Sequence, residues 1–145
     1  MIRLYHDSDI EAIIDVWYQA SLLAHPFLSE NFLEEEKRKI RNVYLPNAIT
    51  WVYQEQGEVV AFISLTDKEV GAIFVHPSMQ GRGIGKALMD KVCSMHDSVE
   101  LDVFEANSIG RAFYSKYGFV PIRKFIHDET GEPAIRLRLS NREHR

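Results

Sequence analysis

Apolar and polar positions repeat with two periods along the chain, and the changes of period mark its elements. Ile2 and Leu4 alternate with Arg3 and Tyr5, the period-two signature of a short strand. From Ile10 the period lengthens. Ile10, Ile13, Ile14, Trp17 and Ser21 share one helical face, which predicts a helix to about Leu23, opened by an S-x-x-E capping box at Ser8 and Glu11. His25-Pro26-Phe27 breaks it. A second helix is expected from about Asn31 to Tyr44, apolar at Phe32, Leu33, Ile40, Val43 and Tyr44. Glu34 with Arg38 and Glu35 with Lys39 would pair at i,i+4 on its outer face. Pro46 ends it.

Strands then dominate. Ile49–Gln54 and Val59–Leu65 flank Gln56-Gly57 as a hairpin. Lys68 and Glu69 turn the chain into a strand at 70–76, whose run Ile73-Phe74-Val75 suits full burial and which Pro77 stops. Ile84, Leu88, Val92 and Met95 form the stripe of a third helix, and Val99–Phe104 another strand. A fourth helix is expected from about Ser108 to Lys116, capped by Asn107 and Gly118, with Ile109, Ala112, Phe113 and Tyr117 as its buried stripe. Phe119–His127 and Pro133–Leu139 close the chain across Asp128 to Glu132. The order is β-α-α-β-β-β-α-β-α-β-β, an α/β arrangement with a mixed sheet. The strands at 70–76 and 99–104 are joined by a helix and should run parallel with a right-handed crossover.

A chain of 145 residues with 46% hydrophobic and 11% aromatic residues fits one domain around one core. No run approaches the roughly 18 apolar residues of a membrane span, and the first ten residues, MIRLYHDSDI, carry no signal-peptide h-region. A single cysteine excludes an internal disulfide and fits a reducing cytoplasm. It is Cys93, expected mid-helix as a partly packed thiol. The formal net charge of −4 argues against a dedicated nucleic-acid binder. Arg136, Arg138, Arg142 and Arg145 read as a solvated strand face and tail. The six histidines show no metal-ligand spacing, so no metal is expected.

The stretch from Val70 to Leu88 carries the chemistry. A strand ends in Gln80-Gly81-Arg82-Gly83-Ile84-Gly85 and opens a helix. The first amides of a helix lack internal partners and carry the positive end of its dipole. Glycines let an anion approach that backbone, which makes a phosphate or pyrophosphate seat. Arg82 and Lys86 add charge beside it. A P-loop is excluded because no G-K-[ST] follows, and a Rossmann fingerprint because Lys86 and Leu88 stand where its third glycine would be.

Gln80, Gly83 and Gly85 fill [QR]-x-x-G-x-[GA], the acetyl-CoA signature of the GNAT superfamily of N-acetyltransferases, which this stretch resembles. Asn107, Gly110, Phe113, Tyr114, Gly118 and Phe119 match the family's second element, N-x-x-[AG]-x-x-[FL]-Y-x-x-x-G-F. The element order resembles that fold over nearly the whole chain. The resemblance implies a three-layer sandwich in which the two parallel strands splay apart and admit the pantetheine arm of CoA. It implies acetyl transfer from acetyl-CoA to a primary amine: a protein lysine, an N-terminus or a small amine. Gln80, Gly81, Arg82, Gly83, Ile84, Gly85 and Lys86 would seat the pyrophosphate. Amides around Phe74 and Val75 would polarise the thioester carbonyl. Asn107 would hydrogen-bond the pantetheine. Tyr114 would protonate the leaving thiolate.

The base that takes the amine's proton has no obvious owner, because Val70 to Val75 carries no acid. Glu69, Asp102 and His25 are candidates, with His25 best by its unperturbed pKa; a water chain is another route. The acceptor would lie between Leu23–Phe32 and the loop at 128–133, with Trp17, Phe27, Trp51 and Phe125 as walls. The assembly would be a monomer or homodimer, without membrane or nucleic-acid partners. Two other classes fit the same seat: a non-catalytic acyl-CoA-binding module, against which Tyr114 argues, and an acylating toxin acting on charged tRNA, against which the net charge argues.

Overall fold

The computed structural model describes residues 1–140, so Arg142 and Arg145 lie outside the described residues. The period-two segments form one seven-stranded sheet. Its strands are β1 (Ile2–Leu4), β2 (Ile49–Glu55), β3 (Glu58–Thr66), β4 (Glu69–Val75), β5 (Ser98–Phe104), β6 (Val120–Ile126) and β7 (Pro133–Ser140), in the spatial order β1-β2-β3-β4-β5-β7-β6. Every pairing is antiparallel except β4 with β5. The helices are α1 (Ile10–Ala24), α2 (Glu30–Lys39), α3 (Ile84–Cys93) and α4 (Ser108–Tyr117).

Because side chains alternate across a strand, the sheet carries two cores. Val52 and Phe62, opposite one another on β2 and β3, pack with Ile13, Trp17, Leu33 and Ile40 of the α1–α2 layer. Their sequence neighbours Ala61 and Ile63 face the other way, onto Leu88, Met89 and Val92 of α3, where Phe113 and Tyr114 of α4 also pack. The expected mixed sheet between two helical layers is therefore present.

Several local expectations are corrected. Ser8 and Glu11 do not cap α1; a single turn at Asp7–Asp9 precedes it. The Asp9 carboxylate takes two bonds from Arg3 (2.8 and 2.9 Å) and one from the His6 amide (2.8 Å). The second helix is regular only to Lys39. A π turn over Ile40–Tyr44 follows, closed by the Leu45 amide on the Ile40 carbonyl. The extra residue in that turn rotates what comes after it, so Val43 and Tyr44 are exposed, Tyr44 at the cleft, and Leu45 takes the buried position. The outer ion pairs of α2 form at i,i+3 rather than i,i+4: Glu34 with Lys37 and Glu35 with Arg38, while Glu36 reaches Lys39 from the cleft side. Met95 lies beyond α3 and is exposed, while Met89 and Cys93, the latter in the helix's last turn, are buried. In α4, Ile109 and Ala112 are exposed, and Phe113, Tyr114 and Tyr117 form the inner face.

The feature that matters most is the short parallel contact. β4 meets β5 only at Glu69 opposite Glu100 and Val70 opposite Leu101. Beyond Val70 the two strands separate, and Ile73, Phe74 and Val75 are half-buried rather than fully buried as their apolar run suggested. They line a cleft instead of a strand–strand contact.

Arg136 holds the point of divergence. It stands on β7 opposite Asp102, and its side chain is 15% exposed, not the solvated strand residue expected. Its guanidinium reaches Glu69 (3.1 Å), Glu100 (3.1 Å) and Asp102 (3.2 Å), so one cation ties β4, β5 and β7 together. The bond from Arg136 holds the Glu100 carboxyl below its usual range. Arg136→Met is expected to destabilise the fold by about 2 kcal/mol at neutral pH, since three carboxylates lose their common partner and one of them is largely buried. A group with a depressed folded pKa contributes stability above its unfolded pKa and loses it as pH falls through the folded one. The deficit should therefore shrink on acidification below about pH 4, as the carboxylates of the variant protonate. Urea melts across pH check both the size and the direction.

Candidate active site

The opening between β4 and β5 is the mouth of a cleft of about 1180 Å³, roofed by α3 and α4 on one side and by α1 and α2 on the other. Its glycine end is built by the turn after β4. Gly81 and Gly83 have φ of +81° and +79°, the left-handed region that glycine enters without strain. A Cβ built at either would meet nothing within 4 Å, so the space over both is open. Gly83 is the N-cap of α3, and the amides that follow it have no intrahelical partner. At Gly85 a Cβ would make ordinary contacts with Phe113 at 3.4 Å and Val75 at 3.7 Å, so alanine also fits there. The Ile84 side chain is buried in the core below. The Gln80 side chain donates to the Val75 carbonyl (3.1 Å) and ties the turn to its strand.

Two basic residues stand differently from expectation. Lys86 lines the cleft but pairs with Asp90 (3.0 Å), one turn along its own helix. Asp90 also accepts from the Tyr117 hydroxyl (2.6 Å), joining α3 to α4. Arg82 is exposed and does not line the cleft.

The amide that faces the opening can be read from the ladder. His76 donates to the Val60 carbonyl of β3, so alternation turns the Val75 amide away from β3, toward the gap left by β5. The Gln80 bond to the Val75 carbonyl, on the same side, agrees with this. Phe74, opposite Phe62, directs its backbone into β3 and only its ring into the cleft. Of the two positions expected to offer an amide, the geometry favours Val75.

Tyr114 stands on the inner face of α4 with its ring edge-on to Phe113 and Phe119. It lines the cleft, and among the described residues its hydroxyl has no hydrogen-bond partner. Burial pushes that hydroxyl well above the ordinary tyrosine pKa. The proton stays on oxygen throughout the neutral range.

Asn107 lines the same cleft but turns its amide inward. Its Oδ1 caps α4 by accepting from the Gly110 amide (2.9 Å), and its Nδ2 donates to His25 Nε2 (3.2 Å). The pantetheine bond expected of this side chain thus competes with two protein partners. A Cβ at Gly110 would lie 2.5 Å from Asn107 Nδ2, so a larger residue there would have to displace that amide.

His25, expected as the base, is buried among the rings of Phe27, Phe74 and Phe104. Burial lowers its pKa to about 4. It lines the cleft, is neutral at pH 7 and accepts from Asn107, a bond that links the end of α1 to the start of α4. Glu69 and Asp102, the other expected bases, are engaged by Arg136. Because the folded pKa of His25 is depressed, its contribution to stability is full above about pH 6.5 and is lost as pH falls toward 4. His25→Gln, which keeps an acceptor for Asn107, should flatten the decline of the melting temperature between those pH values. It should leave the shape of the pH–rate profile near neutrality unchanged; a profile that loses its neutral limb would restore His25 as the base.

At the far end, Trp17 and Phe125 line the cleft as expected, with Leu28 and Phe32. Phe27 lies behind His25 and Phe104. Trp51 is not a wall: it sits on the α3 face of β2 under the Lys91 ammonium (4.6 Å). Glu36, Tyr44 and His127 also line the acceptor end, though none of them was expected as a wall residue. Glu36 left a signal, for it falls at i+3 and i+4 from Leu33 and Phe32, an acid on the inward stripe of α2.

Residues 46–121 match the family model described as an acetyltransferase (GNAT) domain. The chain belongs to the GNAT acetyltransferase family. It is an acyltransferase enzyme, which sets aside the non-catalytic module. Peptidyl-lysine N-acetyltransferase YiaC of Escherichia coli K12 is 35% identical over 134 residues, 92% of each chain. The solution structure of apo YjaB from Escherichia coli superposes with a TM-score of 0.86 at 28% identity, over 95% of each chain. A PaiA N-acetyltransferase from Thermoplasma acidophilum, solved with coenzyme A, shares the GNAT fold at a TM-score of 0.76 and 20% identity, over 97% of this chain and 98% of that one.

Proposed function

We propose that this GNAT enzyme moves the acetyl group of acetyl-CoA to the side-chain amine of a lysine in a protein or peptide. The observation that carries the reading is the cleft. An anion seat at Gly81–Gly85, an outward Val75 amide and a buried, protonated Tyr114 hydroxyl all line the gap between β4 and β5. Acetyl-CoA supplies an activated acyl group and a thiolate leaving group. The chain's own residues do the rest. The amides that open α3 hold the pyrophosphate. The Val75 amide donates to the thioester oxygen as negative charge develops there. The amine, having first released its ammonium proton to water, bonds through nitrogen to the carbonyl carbon; the carbon–sulfur bond breaks, the Tyr114 proton passes to the departing sulfur, and the proton shed by the acylated nitrogen returns through water to the Tyr114 oxygen.

The choice of lysine rests on the curated relative named as a peptidyl-lysine N-acetyltransferase and on an acceptor end lined by aromatic rings and carboxylates. Calorimetric titration with acetyl-CoA, followed by mass spectrometry on a panel of lysine peptides, N-terminal amines and small amines, tests it. Binding with a mass gain on lysine is expected. A gain confined to small amines would overturn the acceptor, and absence of binding would overturn the seat.

A further inference from the structure

Glu36 is a carboxylate of the cleft that the mechanism above leaves without work. It projects from α2 into the acceptor end, and its side chain is 15% exposed. A carboxylate that deep in a wall needs close donors to offset its lost hydration. The comparably buried Asp9 has them: 2.8 and 2.9 Å bonds from Arg3 and a 2.8 Å bond from the His6 amide. The partners of Glu36 are long. The Tyr44 hydroxyl stands at 3.4 Å and the Lys39 ammonium at 3.7 Å, and Lys39 is nearer to Glu129 (3.0 Å). His127 and Glu129 face it from the segment after β6, and burial raises its carboxyl above the usual range. The walls on either side are the rings of Phe32, Tyr44 and His127.

We infer that Glu36 is the specificity-determining residue of the acceptor site: its carboxylate draws in the ammonium of the incoming lysine, which releases a proton to water before its nitrogen attacks the thioester, while the neighbouring rings pack its methylene stem. The inference rests on the lysine reading above. A four-carbon stem ending in a compact cation suits an aromatic channel that closes on an under-donated carboxylate. Tyr44 adds a ring face to the same cation. A neutral acceptor would leave that charge buried with only its long contacts.

The test is steady-state acetylation of a lysine peptide by the wild-type protein and by Glu36→Gln, Glu36→Asp and Lys39→Met, with acetyl-CoA affinity measured by calorimetry on each. Glu36→Gln is expected to raise the peptide KM roughly tenfold, with a smaller change in kcat. Its acetyl-CoA affinity should be unchanged and its melting temperature equal or higher, because a desolvated charge is removed. Glu36→Asp should recover part of the loss. Lys39→Met separates recognition from scaffolding. If Glu36 served only to hold Lys39, both variants would raise KM alike; under the inference Lys39→Met leaves KM unchanged or lower. An unchanged KM in Glu36→Gln, or equal losses in the two variants, would overturn the inference while leaving lysine acetylation intact. A wild-type protein that binds acetyl-CoA yet acetylates no lysine peptide would overturn the lysine reading itself, and the role of Glu36 with it.

Discussion

Tyr114→Phe is expected to lower kcat for acetyl transfer by roughly a hundredfold to ten-thousandfold, the range general acids supply. Acetyl-CoA affinity should stay nearly constant. The substitution removes one oxygen from a ring that is otherwise held by Phe113 and Phe119, so the packing of α4 is kept. Among the described residues that oxygen bonds to nothing, so its loss orphans no partner. Stability should therefore change little, and a large fall in rate would report chemistry rather than unfolding. The pH dependence follows from the direction of the shift. Burial raises the Tyr114 pKa, so the acid form persists beyond the ordinary tyrosine range and its titration should impose no alkaline limb near pH 10. Single-turnover rates with saturating acetyl-CoA, measured from pH 6 to 10, check both points. A variant with unchanged turnover would remove Tyr114 from the role of acid.

What could be read from the sequence and what could not divides on physical grounds. The strand–glycine turn–helix of 70–88 and the stretch 107–119 were legible because their chemistry is local. Positive φ at Gly81 and Gly83 demands glycine, an N-cap asks for Asn107, and Gly118 ends α4. The parallel crossover followed from a helix between two strands. The splay did not, because a buried strand and a cleft-lining strand present the same run, Ile73-Phe74-Val75. Only the pairing with β5, lost after Val70, tells them apart.

Long-range polar partnerships were hidden for a similar reason. Arg136 looked like a surface arginine because three carboxylates that engage it lie 34 to 67 residues away. The His25–Asn107 bond spans 82 residues, and it turns a residue with a suitable ordinary pKa into a neutral acceptor. Burial, which no spacing rule reveals, decided that change. Glu36 is the reverse case. Its place at i+3 and i+4 from Leu33 and Phe32 is visible, but an acid on an apolar stripe does not reveal that the stripe lines a cleft, where Tyr44 of the π turn joins it.

Gly83→Val is expected to reduce acetyl-CoA affinity by at least about a hundredfold, with little loss of fold. Two effects act on the ligand and one on the protein. A β-branched residue at φ +79° adds left-handed strain of roughly 1–2 kcal/mol, which the turn can relieve only by swinging its amides away from the cleft. Its side chain also occupies the open space through which an anion reaches those amides. The protein itself loses only the strain, because a Cβ at Gly83 meets no atom within 4 Å and so clashes with nothing in the core. Gly83→Asn separates the two ligand effects. Asparagine tolerates the left-handed region, so it should keep the turn and lose affinity only through its bulk, by an intermediate amount. Calorimetric titrations of both variants, with melting temperatures alongside, decide the matter. Affinity that is unchanged in a folded Gly83→Val protein would mean that no pyrophosphate sits on this helix start, and the cofactor would have to enter the cleft by its β5 side instead.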